Sequence, residues 1–227
     1  MKGDLNYGKS FELWRAHCPN AWTDYTQHEF VGCIENGTLP KASFLDYLRQ
    51  DYIFLRHFAR AWALAVVKAF DLVEMKAAAN TVNALINDEM NLHIKVCGEA
   101  GISEEELLST IEKPQNLAYT RFVLEVGYSG TFVDLMAVLA PCVMGYGEIG
   151  YRLYRSATST VYRDWISAYG EQSYQTLCHE VGILIDRSLV LRYGEGVYST
   201  RLWQELCSKF ETATKLEAGF WEMSLNP

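Results

Sequence analysis

We expect the rest of the chain to fold around the sequence TFVDLMAVLAPCVMGYGEIGYRLYRSA, residues 131–157. It is a long apolar run with helical spacing, in which Cys142 and Tyr146 lie four residues apart and project from one face. Pro141 predicts either a kink or a backbone carbonyl without its helical partner. Glycines at positions 145, 147 and 150 disfavour a helix unless they make room for another backbone or a bound group. We therefore expect a central helix that approaches a neighbour closely.

On both sides of this run, apolar residues recur at helical spacing and turn residues separate the segments. Asn36-Gly37 is typical of a helix end, Pro114 of a helix start, and Ser103 followed by Glu106 of a capping box. The sequence contains no run of alternating strands, no internal repeat and no linker rich in Pro, Gly or Ser. It predicts one all-α helical bundle over residues 1–227, with its main helices over 40–70, 72–100, 131–157, 172–191 and 200–223.

Composition limits the partners and the location of the protein. A net charge of −8 argues against nucleic acid or an anionic membrane as the main partner. Met1–Asn6 lacks the apolar core of a signal peptide, and Lys68 and Asp134 interrupt the longest apolar runs, so we expect no membrane span. The six cysteines form no C-x-x-C pair, which disfavours a disulfide framework and a zinc finger. We expect a cytoplasmic protein.

Two residues in apolar surroundings are candidates for chemistry. Asp51 shares a helix face with Phe54 and Phe58, so it is expected to point inward, where a carboxylate needs a partner. A salt bridge or a cap at a helix crossing is as good an explanation for such a residue as a role in ligand binding. Cys142 is either a small buried hydrophobic residue or a nucleophile, and a lone cysteine is more often the former.

Glu217 is the third candidate, because Phe220 and Trp221 follow it by three and four residues and share its helix face. A carboxyl group in an apolar pocket has a raised pKa, which suits a general acid or base. The alternative is a surface glutamate near the end of a helix. Three tyrosines, Tyr119, Tyr146 and Tyr169, stand in apolar segments. They could stack on a flat heteroaromatic ligand, or they could be ordinary core residues.

A metal site is a further alternative. Glu89 and His93 are spaced i, i+4, and Glu148 and His179 stand on later helices. Helical bundles bind di-iron through Glu and His side chains, but the Glu-x-x-His motif typical of those sites is not repeated here. We therefore expect no metal site.

Six blocks along nearly the whole chain resemble the TenA/thiaminase II family. They are Phe30-Val31 with Gly37-Thr38-Leu39; Tyr47-Leu48-Arg49-Gln50-Asp51-Tyr52; Ala118-Tyr119-Thr120-Arg121-Phe122; Pro141-Cys142-x-x-Gly145-Tyr146-x-Glu148-Ile149-Gly150; Trp165-Ile166-x-x-Tyr169; and Leu216-Glu217-x-x-Phe220-Trp221. The resemblance implies a haem-oxygenase-like bundle that binds no haem, uses no metal or other cofactor, and assembles as a homotetramer. It also implies hydrolysis of an aminopyrimidine from damaged thiamin to hydroxymethylpyrimidine and ammonia, or cleavage of thiamin itself.

The resemblance also implies roles for residues. Cys142 matches the nucleophile, and Asp51 the carboxylate that binds the amino group and a ring nitrogen of the pyrimidine. Glu217 matches the acid/base, with Tyr119 as its hydrogen-bond partner. The expected pocket walls are Tyr146, Tyr169 and Phe220. Phe54 departs from the family, since many members have a tyrosine there, so one polar contact to the substrate is expected to be lost or supplied elsewhere.

Two other functions remain open at this point. One is a dimetal oxygenase built on the same bundle, which metal analysis of the purified protein would identify. The other is a regulator that binds a pyrimidine or thiamin without catalysing a reaction; it would bind ligand and release no ammonia.

Overall fold

In the computed structural model, residues 5–225 are described, and every regular element within them is a helix. The α-helices are α1 (Lys9–His17), α2 (Pro19–Thr26), α3 (Glu29–Asn36), α4 (Lys41–Lys68), α5 (Leu72–Ala84), α6 (Met90–Glu99), α7 (Glu104–Leu108), α8 (Pro114–Ser129), α9 (Phe132–Ser156), α10 (Arg163–Gly170), α11 (Gln172–Tyr193) and α12 (Arg201–Leu225). The all-α prediction is confirmed. Residues 1–4, on which most of the signal-peptide expectation rests, lie outside the described residues.

The chain clusters into two compact units. The first unit comprises the residues up to Leu39 together with Met136–Trp221, and therefore α1–α3, α10, α11 and most of α9 and α12. Its core is aromatic: the ring of Phe210 on α12 stacks against Trp14 at 5.4 Å and against Trp22 at 5.7 Å between ring centroids. Stacked aromatic pairs of this kind bury large apolar surfaces and fix the approach of one helix to another.

Helix α9 has the bounds that the sequence predicts, with Pro141 inside it. Its glycines permit close approach, as expected: a Cβ atom on Gly145 would collide with the ring of Tyr25, and one on Gly150 with the backbone of Tyr169. The expectation that no apolar run reaches the length of a membrane span was wrong for α9, which is long and apolar enough. Most of this helix is buried inside the protein, which is also typical of a core helix.

The second unit comprises Pro40–Leu135 and the residues after Trp221, and α4 is its main helix, in contact with α5, α6 and α8. One face of α4 is buried along its length and includes Tyr47, Asp51, Phe54 and Phe58. The helix predicted over residues 72–100 is present, but a π-helical segment, Leu85–Glu89, interrupts it. Such a segment adds a residue to a helical turn and rotates the face that follows it.

The predicted helix ends are mostly confirmed. Ser103 and Glu106 form the complete capping box at the start of α7, and Gly37 ends α3 in the left-handed conformation with φ 75°. Between the helices predicted over residues 172–191 and 200–223 the chain is more helical than expected, because α11 continues to Tyr193 and a 3₁₀ helix, Glu195–Ser199, follows Gly194. The single domain over residues 1–227 stays a prediction.

Candidate active site

Asp51 forms a buried polar cluster in the second unit with Tyr47 and His93. The side chain of Asp51 is 5% exposed and that of His93 is 4% exposed. The Oδ2 atom of Asp51 lies 2.7 Å from Nε2 of His93, and it accepts a hydrogen bond of 3.2 Å from the hydroxyl of Tyr47. The inward orientation that the sequence predicts for Asp51 is thus confirmed, and so is the buried pair that was the alternative explanation.

His93 lies between two hydrogen-bond acceptors. Its Nδ1 atom is 2.9 Å from the carbonyl oxygen of Glu89, one helical turn earlier, while Nε2 faces Asp51. Burial alone lowers the pKa of His93, but the hydrogen bond and the charge of Asp51, with a smaller effect of Glu89, raise it to about 8. His93 is therefore a cation over most of the physiological pH range.

The sequence indicated neither of these partners of Asp51. Tyr47 stands four residues before Asp51 on α4, so the i, i+4 spacing could have identified it. The sequence associates His93 only with Glu89, as part of the metal alternative, whereas its partner Asp51 lies 42 residues away in sequence. No spacing rule identifies a contact between two separate helices.

Phe54 and Tyr119, two predicted substrate-binding residues, lie side by side in the same unit. Their ring centroids are 4.9 Å apart, and Phe54 also stacks on Phe58 at 5.2 Å. Phe54 is 4% exposed, and Tyr119 on α8 is fully buried. The two rings can form one apolar wall. The predicted hydrogen bond between Tyr119 and Glu217 stays a prediction.

Cys142 lies in the first unit on α9, directly after Pro141. All other residues from 132 to 147 are buried, whereas Cys142 is half-buried. A thiol must be accessible to act as a nucleophile, and the accessible position in this run is the one that holds the cysteine. All six cysteines lie within the described residues, and none of them forms a disulfide.

Three polar side chains reach the backbone around Cys142. The hydroxyl of Tyr174 and the thiol of Cys178, both on α11, donate to the carbonyl oxygen of Val143 at 3.2 and 3.4 Å. The amide of Gln175 donates to the carbonyl oxygen of Gly147 at 3.0 Å and to that of Tyr169 at 2.8 Å. These contacts hold the cysteine-bearing part of α9 against α11 and the end of α10.

Tyr146 and Tyr169, the predicted pocket tyrosines, are brought together. Their rings meet edge to face with centroids 4.8 Å apart, and the ring of Tyr146 also lies 5.3 Å from that of Trp221. Trp165 completes the group, 5.0 Å from Tyr169. Such a cluster offers ring faces and two phenol groups to a flat ligand.

Glu217 lies in α12 and is 2% exposed, and its neighbours Phe220 and Trp221 are buried as well. The alternative of a surface glutamate was therefore wrong. A carboxyl group in such a position is retained where it has a polar or chemical role, because its burial costs free energy.

The side chains of the dimetal alternative have other contacts. Glu148 binds Arg15 at 2.9 Å and accepts from the indole of Trp22 at 3.1 Å. His93 binds Asp51, and His179 contacts the carbonyl oxygen of Asn6 at 3.1 Å. Across residues 5–225, no group of three or more His, Cys, Asp or Glu side chains is arranged to hold a metal ion. The structure thus gives the dimetal alternative no support.

The fold itself has solved counterparts. A domain from Shewanella denitrificans that is described as having a heme oxygenase-like fold matches with a TM-score of 0.65 at 14% identity, over 95% of this chain and 88% of that one. The protein is thus of the all-α, haem-oxygenase-like class. The chain belongs to the TENA/THI-4/PQQC family, whose sequence model matches residues 15–227.

Two relatives resemble the chain over most of its length. An aminopyrimidine aminohydrolase from Halalkalibacterium halodurans is 32% identical over 208 residues, which cover 90% of each chain. A solved structure from Silicibacter sp. TM1040, described as a TenA family transcription regulator, is 57% identical with a TM-score of 0.96. The match covers 97% of this chain and 98% of the chain in that structure.

Proposed function

We propose that the protein is a hydrolase of carbon–nitrogen bonds, an aminopyrimidine aminohydrolase of the thiaminase II type. It converts 4-amino-5-aminomethyl-2-methylpyrimidine to the 5-hydroxymethyl compound and ammonia, in thiamin salvage, and thiamin is its second candidate substrate. The observation that carries this proposal is the relationship to a curated aminopyrimidine aminohydrolase, which covers 90% of each chain. The accessible cysteine in the buried helix α9 and the buried carboxyl of Glu217 agree with it.

The proposed reaction solves the problem of a poor leaving group. The thiolate of Cys142 adds to an electron-poor ring carbon. The ring then expels the amine of the 5-aminomethyl group, which leaves with its bonding electron pair. Water adds to the exocyclic carbon that is left, and the carbon–sulfur bond breaks to return the thiolate. An unperturbed thiol is only about 3% ionised at pH 7, so protonation of the ring is needed to promote the addition.

Each of the other residues has a proposed part in this sequence. Glu217 protonates the leaving amine and then takes a proton from the attacking water. Asp51 binds the amino group and a ring nitrogen and so stabilises the protonated ring. Tyr146, Tyr169 and Phe220 offer aromatic ring faces to the flat substrate, as do Phe54 and Tyr119.

The first experiment measures ammonia release from 4-amino-5-aminomethyl-2-methylpyrimidine by the wild type, Cys142→Ser and Cys33→Ser. Cys33 is the matched control, because it is also half-buried and lies in the same unit. We expect turnover by the wild type and by Cys33→Ser, and none by folded Cys142→Ser. If the folded wild type releases neither ammonia from this compound nor the thiazole from thiamin, the proposed activity is refuted.

A second function has one observation in its favour, since a relative 57% identical to the chain is described as a transcription regulator. A regulator of this kind would bind a pyrimidine or thiamin without consuming it. The net charge of −8 does not favour direct contact with DNA. Ligand binding without turnover would support this function over the hydrolase.

We also propose that the protein assembles as a homotetramer and works in the cytoplasm. Large apolar side chains are exposed where α4 ends and α5 begins, with Val67 at 80%, Phe70 at 68% and Leu72 at 67%. Exposed large apolar side chains that lie this close together in sequence are typical of an interface between subunits. We infer that copies of this chain cover it.

A further inference from the structure

We propose that His93 is a positioning residue: as an imidazolium, it donates to the Oδ2 atom of Asp51 and keeps the Oδ1 atom of Asp51 for the ligand. The inference rests on the proposed function, because it assigns a partner to the carboxylate that binds the aminopyrimidine. His93 itself need not touch the substrate.

The two oxygens of Asp51 are used unequally. Oδ2 faces both the imidazole of His93, at 2.7 Å, and the hydroxyl of Tyr47, at 3.2 Å. Within residues 5–225, no hydrogen bond to Oδ1 is present. A carboxylate has about two acceptor positions on each oxygen, so Oδ2 is fully used by the protein and Oδ1 keeps its capacity. The two oxygens of Asp51 thus have different roles: Oδ2 is held by protein groups, and Oδ1 is available to a ligand.

The contacts of His93 determine its charge. A neutral imidazole has one N–H donor, whereas both ring nitrogens of His93 face oxygens that accept: the carbonyl of Glu89 at 2.9 Å and the carboxylate of Asp51. Only the imidazolium satisfies both acceptors while Asp51 stays ionised. The side chains of both residues are almost fully buried, so an unsatisfied contact would be costly.

The surroundings of His93 agree with this assignment. The titratable groups that raise its pKa are Asp51 on α4 and Glu89 at the end of the π-helical segment. Burial alone lowers the pKa of His93, but these acidic groups raise it to about 8. The π-helical segment ends at Glu89, four residues before His93, so the extra residue sets the face on which the imidazole stands.

The arrangement suits the proposed substrate. An aminopyrimidine protonated on its ring offers two adjacent N–H donors, one of them cationic, and an ionised carboxylate is the matching acceptor. A neutral Asp51 would present a donor instead and lose this match. The contact of His93 with Oδ2 restricts the rotation of the carboxylate and leaves Oδ1 for the ligand.

The test compares wild type, His93→Gln and Tyr47→Phe. His93→Gln leaves a neutral donor near Asp51 and removes the positive charge; Tyr47→Phe is the matched control, since it removes the neutral hydrogen bond to the same oxygen. We measure kcat/KM from pH 6 to 10, and the Kd of 4-amino-5-hydroxymethyl-2-methylpyrimidine over the same range. We expect His93→Gln to lower kcat/KM and weaken binding by roughly 10- to 100-fold at pH 7.

The pH profiles separate positioning from a merely structural role. Wild type and Tyr47→Phe should lose ligand affinity as the pH rises through about 8, because His93 then loses its proton. His93→Gln should lack this pH-dependent step. The combined variant His93→Gln with Asp51→Asn should lose no more affinity than Asp51→Asn alone, since His93 acts through Asp51.

One further measurement uses only the wild-type protein, so its result does not depend on whether a variant folds. With ¹⁵N-labelled histidine, the ring nitrogens of His93 should have the shifts of an imidazolium at pH 7, with the signals of the other four histidines as reference. A neutral His93 in an active enzyme, or a wild-type pH profile in His93→Gln, overturns the positioning role alone. A folded wild type that neither binds nor converts the pyrimidine refutes the proposed function together with this role.

Discussion

The ring of Tyr25 occupies the space that a side chain on Gly145 would need, since a Cβ atom there would collide with ring carbons of Tyr25. The hydroxyl of Tyr25 also donates to the carbonyl oxygen of Pro141 at 3.4 Å. Both contacts act on the turn of α9 that carries Cys142. This turn therefore packs against α2 at a distance that only glycine allows.

We expect Gly145→Ala to destabilise the protein by about 1–3 kcal/mol through overpacking, in spite of the higher helix propensity of alanine. Gly32→Ala is the matched control, because Gly32 also lies in a helix of the first unit and has open space around its Cα. We expect it to stabilise the protein by up to about 1 kcal/mol. Urea unfolding followed by circular dichroism measures both changes. Equal effects of the two substitutions would contradict the packing argument.

Glu217→Gln keeps the shape of a buried side chain and removes its ability to exchange a proton. If Glu217 is the acid/base, turnover should fall by roughly 10²–10⁴-fold, while the fold and ligand binding are retained. Glu205→Gln, on the exposed face of the same helix, is the control and should keep wild-type turnover. Ammonia release under substrate saturation measures the effect. A rate within a factor of two of wild type would remove Glu217 from the mechanism.

The pair of His93 and Asp51 predicts a pH dependence of stability. The pKa of His93 is about 8 in the folded protein and about 6.5 in an unfolded chain, so protonation favours the folded state. The resulting stabilisation, at most about 2 kcal/mol, is complete below pH 6.5 and lost as the pH rises through about 8. The difference in urea midpoint between wild type and His93→Gln should therefore shrink from pH 6 to pH 9. A difference that stays constant over this range would contradict the assigned pKa.

The fold could be predicted from the sequence because its helices carry local information. The buried face of α4 repeats at helical spacing, Pro114 and Ser103 stand at helix starts, and Gly37 adopts the left-handed conformation that its position after α3 suggests. The π-helical segment Leu85–Glu89 could not be predicted, since its apolar pattern is that of an ordinary helix and the difference lies in the hydrogen-bond register.

The candidate site could be predicted in part. Glu217 and Asp51 were identified because an acidic residue interrupts an apolar face, and both are buried. His93 as the partner of Asp51 was missed, because the two stand on different helices and a single sequence carries no signal of that contact. The accessibility of Cys142 in an otherwise buried run is likewise a tertiary property, since its neighbours in sequence are as apolar as those of any core cysteine.

The exposed apolar surface at the end of α4 predicts how assembly can be disturbed. Val67 is 80% exposed near the C-terminus of this helix, so Val67→Lys adds a charge that suits the helix end and should leave the subunit folded. In a tetramer, the same lysine would be desolvated at every copy of the interface, which costs free energy. We therefore expect a smaller assembly than that of wild type, which should have four times the mass of one chain.

Ile183→Lys is the control for this substitution, because Ile183 is 52% exposed on α11, with buried residues on both sides in sequence. Light scattering coupled to gel filtration measures the mass of each variant, and circular dichroism reports whether it is folded. A monomeric wild type would refute the tetramer. If the tetramer tolerates Val67→Lys but dissociates in Ile183→Lys, the interface lies on α11 and not at the end of α4.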